Sequence, residues 1–248
     1  MNKSLSSPCL MRIPYLTTGV LWMLLLGCLG CGTREYESRL NTSITNLRRS
    51  SVFIDMHPSA DLTGTPVTVK VPNLFNLPPM VKGEPVDGQE VDQRRLEPPV
   101  VTVTGLMLTY EGLLADSAGG KQSYYLYLGV VDTSLLMGKD LPTLMFRQAQ
   151  TAFSGTTPLE TVTCDTPDGR STDWKKLRVS GKQPFYYVAG DGKTDFREMD
   201  GVMEFFIRQE GNFIVTIGWR APASPEGVDY PGLAIWGPRI AGTVALKQ

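Results

Sequence analysis

The sequence predicts an α+β domain, a mainly antiparallel sheet with covering helices, and three observations carry that expectation. Alternating apolar runs of strand type dominate residues 100–248. Stretches with helical spacing interrupt the series at Leu141–Phe153 and close it at Pro231–Leu246. Tight-turn residues join neighbouring strands, most plainly at Glu210-Gly211. Ahead of the domain the chain divides into an export signal over residues 1–27, an anchor and short amphipathic helix over 28–51, and an extended Pro-rich segment or linker over 52–99.

Lys3 and Arg12 form a positive leader, followed by the apolar run Thr17–Leu26. That run is about ten residues, the length of a signal core, whereas a spanning helix needs roughly twenty. It ends in Leu25-Leu26-Gly27-Cys28, which resembles the lipobox of bacterial lipoproteins: Leu at minus three and Gly just before the cysteine. The resemblance implies a lipoprotein signal peptide cut before Cys28, a diacylglycerol on its thiol, and attachment to the membrane through this N-terminal lipid. Cys31, behind Cys28-Leu29-Gly30, is the alternative site. Leu29 rather than Asp follows Cys28, which favours the outer over the inner membrane of the cell envelope.

Tyr36, Leu40, Ile44 and Leu47 recur at spacings of four, four and three and predict an amphipathic helix from Glu35 to Arg49. Acidic Glu35 and Glu37 in its first turn and basic Arg48 and Arg49 in its last complement the helix dipole. Its apolar stripe suits a membrane, a partner, or the domain itself. Val52–Asp55 and Val67–Val71 read as strands. The prolines from Pro72 to Pro99, which remove amide donors and fix φ, predict a linker or long surface loop.

In the domain, Val101, Val103, Leu106, Leu108 and Tyr110 pair with Ser123–Val131 as a hairpin around the turn Asp116–Lys121. Leu144, Met145, Ala149 and Phe153 make a helix opened by Pro142. Strands resume at Thr161–Cys164, Lys176–Val179, Pro184–Val188, Gly201–Gln209 and Asn212–Trp219, and Pro238 starts or kinks the closing helix. This order, ending with Phe213–Trp219, a loop and a helix, resembles the Mog1/PsbP-like fold over Val100–Leu246. The resemblance implies a domain that binds proteins and assists assemblies.

The chain carries 24 Lys plus Arg against 25 Asp plus Glu, so it has no basic field for nucleic acid. His57 is the sole histidine, beside Asp55, and builds neither a triad nor a multi-histidine metal site by itself. The acidic stretches Asp191–Asp200 and Asp165–Gly169 have turn chemistry and lack calcium-loop spacing. Cys164 is either an unpaired buried thiol or a partner for Cys31. Tyr124, Tyr125, Tyr127, Trp174, Tyr186 and Tyr187 read mainly as core. Trp219, Arg220 and Tyr230 are left as surface ligand-binding candidates. No catalytic residue, metal ligand or cofactor is expected. The expected role is a non-enzymatic envelope lipoprotein with a protein partner; the alternatives are a cell-wall glycan or small-ligand binding domain and, third, a hydrolase.

Overall fold

The computed structural model describes residues 35–45, 47, 51–58, 60–62, 64–75, 77–115, 119–223 and 232–247. The chain divides into two units, residues 1–48 and 49–248. In the first, residues 35–45 and residue 47 are helical (α1), and the Arg39 guanidinium meets the Glu35 carboxylate at 2.5 Å, one turn apart. Tyr36, Leu40, Ile44 and Leu47 are exposed along it. Cys28 and Cys31 lie outside the described residues. Among the described residues no helix is long and apolar enough to cross a membrane.

The second unit is built on a seven-stranded antiparallel sheet. Its strands are β3 (Leu106–Ala115), β4 (Lys121–Asp132), β5 (Gly155–Thr156), β6 (Glu160–Asp165), β7 (Ser171–Val188), β8 (Thr194–Glu210) and β9 (Phe213–Pro222), in the order β3-β4-β9-β8-β7-β5 with β6 also on β7. The predicted hairpin β3–β4 is present, with Leu108 opposite Leu128 and Leu114 opposite Gln122. The turn between β8 and β9 is also where the sequence puts it, with Gly211 at φ +58°. Lys176–Val179 and Pro184–Val188, expected as separate strands, belong to the single 18-residue β7.

One end of this sheet closes. Beyond its pairing with β9, β4 pairs directly with the far end of β7, Lys121 opposite Val188 and Gln122 opposite Tyr187. The circuit β4-β9-β8-β7-β4 is therefore complete there. Gly181, at φ +151°, and Gly201 face each other across β7 and β8. A Cβ at Gly201 would stand 2.7 Å from the Phe185 ring, so only glycine lets that ring lie against the strand.

Both faces of the sheet are covered, which explains why Gly201–Ile207 of β8 is buried at every position instead of alternating. On one face, Leu177, Val179, Met203, Phe205 and Ile207 pack against Val101, Val103 and helix α3 (Leu141–Ala152). Asp140 caps that helix by accepting from the Thr143 amide, Pro142 sits in its first turn, and Leu141, Met145 and Ala149 face inward at four-residue intervals. On the other face, Leu126, Leu128, Phe206, Ile217 and Trp219 pack against helix α4 (Leu233–Gly242) and against Leu62, Val67, Val69, Val71 and Phe75. Each fully buried side chain of this kind contributes about 1.5–3 kcal/mol of transfer free energy. Pro238 lies inside α4, and the helix ends at Gly242, short of the expected Leu246. The chain then forms β10 (Ala245–Leu246), which joins β1 (Ala60–Asp61) and β2 (Val67–Val69) in a small sheet of order β1-β2-β10.

Two expectations for residues 52–99 are corrected. Val52–Asp55 forms turns rather than a strand, with Phe53 buried. The stretch from Pro72 to Pro99 is not a free linker, and no boundary separates it from residue 100 onward, because residues 49–248 form one unit. Phe75, Met80 and Leu96 are buried. Met80 exchanges backbone hydrogen bonds of 2.7 and 3.0 Å with Thr109, which covers the open side of β3. Leu74 accepts a 2.6 Å bond from the Tyr124 hydroxyl. Proline makes this chain extended without making it solvated: three apolar anchors and side-chain donors to its carbonyls fasten it around the sheet edge. Its single turn of helix, α2 (Gln93–Leu96), ends up over the closed end of the sheet.

Candidate functional site

Strand alternation sends Tyr125 and Tyr127 of β4, Gln183 and Phe185 of β7, and Arg220 of β9 to the same side at the closed end. Tyr125, Tyr127 and Phe185 form a small core cluster of their own. Among them lies the Arg220 guanidinium, fully buried at 0% exposure. Its central carbon is 4.3 Å from the Tyr125 ring centre, 5.2 Å from that of Phe185 and 5.9 Å from that of Tyr127. Its Nη2 donates to the Arg94 carbonyl of α2 at 3.1 Å. Aromatic faces and one carbonyl therefore stabilise a cation that apolar surroundings alone would penalise heavily.

Helix α2 is tied across this end by polar contacts. Arg95 forms an ion pair with the buried Glu111 carboxylate, which stands opposite Tyr125 on β3. The same guanidinium lies 4.1 Å over the Tyr186 ring, and that of Arg94 lies 3.9 Å over Phe196. The Thr109 hydroxyl donates to the Leu96 carbonyl at 2.6 Å, and the Asp92 side chain caps the helix at the Arg94 amide.

Among the described residues both amide atoms of the buried Gln183 have no hydrogen-bond partner, while the Arg220 side chain hydrogen-bonds the Tyr127 hydroxyl. Burial pushes the phenols of Tyr125 and Tyr127 far above their ordinary pKa, with the Arg220 charge pulling the other way in both. Both therefore stay protonated at neutral pH. A cleft of about 170 Å³ reaches this layer, walled by Gln93, Arg94 and Glu97 of the α2 segment, by Pro98, Pro99 and Pro184, and by Arg220. A hydrogen bond from Lys82 Nζ, at 2.6 Å, holds the Glu97 carboxyl below its ordinary pKa, so the rim carries one carboxylate. Chemically the cluster is a cation enclosed by aromatic rings and sealed from solvent, and the cleft beside it is walled mainly by the α2 segment and three prolines.

This arrangement corrects the expected surface site. Trp219 is 1% exposed and Arg220 is fully buried, whereas both were expected at the surface. Strand β9 continues to Pro222 between two covered faces, so alternation sends Trp219 towards α4 and Arg220 into the closed end, and neither to solvent. Tyr230 lies outside the described residues. Gln183, Glu111, Arg94 and Arg95 were not singled out from the sequence. The available signal was an arginine inside the apolar strand Ile217–Ala221, opposite tyrosines spaced two apart.

Asp55 and His57 are exposed, and their backbones bond Asn73 and Val71 at 2.9 and 2.7 Å. Asp191 accepts from the Lys193 amide at 3.1 Å in a hairpin turn, and Asp168 likewise accepts from Arg170 in the turn after β6. Among the described residues no group of three or more His, Cys, Asp or Glu side chains is placed to hold a metal. Cys164 is a free, buried thiol. Burial, reinforced by the charge of Asp165, pushes its pKa up to about 11. At pH 8 the thiolate fraction is then about one in a thousand. Native protein treated with iodoacetamide at pH 8 is accordingly expected to leave the Cys164 peptide unmodified, and urea-unfolded protein to modify it fully; equal labelling by mass spectrometry would contradict the burial.

No protein-family model matches the chain, and no curated protein matches it. Among solved structures it is similar to the Ran-binding protein Mog1p of Saccharomyces cerevisiae, at 14% identity and a TM-score of 0.38, over 78% of this chain and 97% of that one. A likeness of that size carries no argument about fold or partner. The α+β, mainly antiparallel architecture stands on the strands and helices described above.

Proposed function

We propose that the protein is a lipoprotein of a bacterial cell envelope, anchored through lipid on Cys28, whose domain is a non-enzymatic module that binds a protein partner there. The observation that carries this reading is Leu25-Leu26-Gly27-Cys28 at the end of a short apolar run behind Lys3 and Arg12. Leu29 in place of an Asp behind the cysteine favours the outer membrane. A glycan platform built on Trp219 and Arg220 loses both of its named residues to the core.

The test is in-cell crosslinking of the full chain, followed by purification of the lipidated protein and mass spectrometry of what travels with it. The expected result is one envelope protein in reproducible stoichiometry that is lost when residues 100–248 are deleted from a chain retaining its signal. Recovery of the protein alone at good crosslinking efficiency would contradict the partner.

A further inference from the structure

We infer that helix α1 lies along the lipid surface that holds the anchor, with Tyr36, Leu40, Ile44 and Leu47 buried among headgroups and upper acyl chains. The inference rests on the proposed lipid at Cys28. Residues 35–45 and residue 47 are helical, and at 3.6 residues per turn those four side chains fall within about 80° of arc on one stripe. All four are exposed, Tyr36 at 67% and Leu40 at 44%. The opposite side is polar: Ser38, Thr42 and Thr45 stand about 100° or more from every member of the stripe. A helix this short is marginal in water by itself, so burying its apolar stripe is what stabilises it. A narrow apolar face under a polar one is the pattern of a helix lying in the plane of a membrane interface.

Tether length and charge decide what the stripe meets. Glu35 is seven residues beyond Cys28, and a chain spans at most about 3.6 Å per residue, so the helix begins within roughly 25 Å of the lipid by any path. A surface held so near acts at high effective concentration, ahead of any diffusing partner. Residues 29–51 carry the four arginines Arg34, Arg39, Arg48 and Arg49 against only Glu35 and Glu37, with no Lys or Asp. That excess of positive charge suits anionic headgroups. Tyr36, at the end nearer the anchor, has the ring with a polar tip that settles at a lipid–water boundary. A second copy fits less well: the spacings of four, four and three span little more than one heptad, whereas a coiled coil sustains its repeat over three or four.

The experiment puts a photoreactive benzoylphenylalanine in place of Leu40 or, as control, of Thr42, whose hydroxyl donates to the Ser38 carbonyl at 2.8 Å on the polar side. The full chain is purified from cells and reconstituted into vesicles of phosphatidylethanolamine and phosphatidylglycerol, and mass spectrometry reads both the N-terminus and the adducts. Position 40 is expected to yield at least tenfold more lipid adduct than position 42. Hydrogen exchange on the same vesicles gives the second readout. Leu40→Gln combined with Ile44→Gln keeps good helix formers in place and is expected to speed amide exchange over residues 35–47 at least tenfold, whereas Ser38→Gln with Thr42→Gln is expected to leave it unchanged. With lipid present on Cys28, the inference would be overturned alone by equal adducts at both positions, by no lipid adduct from position 40, by adducts there to residues 49–248 or to a second copy, or by exchange unmoved in Leu40→Gln with Ile44→Gln. A chain without lipid on Cys28 would overturn the anchor and this inference together.

Discussion

Replacing Trp219 by alanine is expected to cost about 3–5 kcal/mol of folding free energy, the range for truncating a fully buried aromatic residue. Trp219 pairs with Leu126 of β4 on one side and Glu204 of β8 on the other. Helix α4 presses on the indole so closely that a Cβ at Gly237 would stand 3.0 Å from Nε1. Its removal opens a void between sheet and helix that neither can fill. The indole N–H has no partner among the described residues, so Trp219→Phe forfeits volume without breaking a hydrogen bond and is expected to cost less than half as much. Urea denaturation followed by circular dichroism reads both. A loss below about 1 kcal/mol in Trp219→Ala would return this residue to the surface and undo the account of the covered sheet.

The second large effect is expected at the other end of the chain. Cys28→Ala removes the thiol to which the lipid would attach, and acyl labelling of the protein should vanish. Each buried methylene contributes about 0.8 kcal/mol, so several chains hold a protein on a membrane almost permanently, and losing them all removes the anchor. The variant is expected to remain as uncleaved precursor or to appear unlipidated in the soluble fraction, with the lipidated membrane-bound form reduced more than tenfold. Cys31→Ala is expected to change neither labelling nor partition. Loss of label in Cys31→Ala alone would move the anchor to the alternative site.

What the sequence made legible was local. Runs of apolar, β-branched and aromatic residues identified β3, β4, β8 and β9, whose middles are buried at consecutive positions, and Glu210-Gly211 marked a turn that only a residue tolerant of positive φ forms easily. The four-residue spacing found α3 because its buried face runs Leu141, Met145, Ala149. What stayed hidden depends on distant partners. Ser180-Gly181-Lys182 looks like a break between two strands, yet it runs on as one, because Val202, Gly201 and Asp200 of β8 pair with it. Ala245–Leu246 extends only because β2, some 177 residues earlier, offers an edge. The prolines of residues 72–99 correctly excluded a long helix, but they say nothing of Phe75, Met80 and Leu96 finding the core.

The candidate site was half legible for the same reason. Arg220 stood out as a charge beside a tryptophan, and period-two alternation with one covered face would have exposed one of the pair. Coverage of both faces is a tertiary fact, and so is the return of β7 to β4 that encloses the guanidinium. The aromatic rings that flank Arg220 come from two other strands, and the carbonyl that holds it comes from 126 residues upstream.

The claim on which the proposed function turns is the lipid on Cys28, and mass spectrometry of the mature N-terminal peptide tests it most directly. The account predicts a peptide that begins at Cys28 and carries a thioether-linked diacylglycerol, with residues 1–27 gone. A mature chain that begins at any other residue without lipid, or that retains residues 1–27, would contradict it.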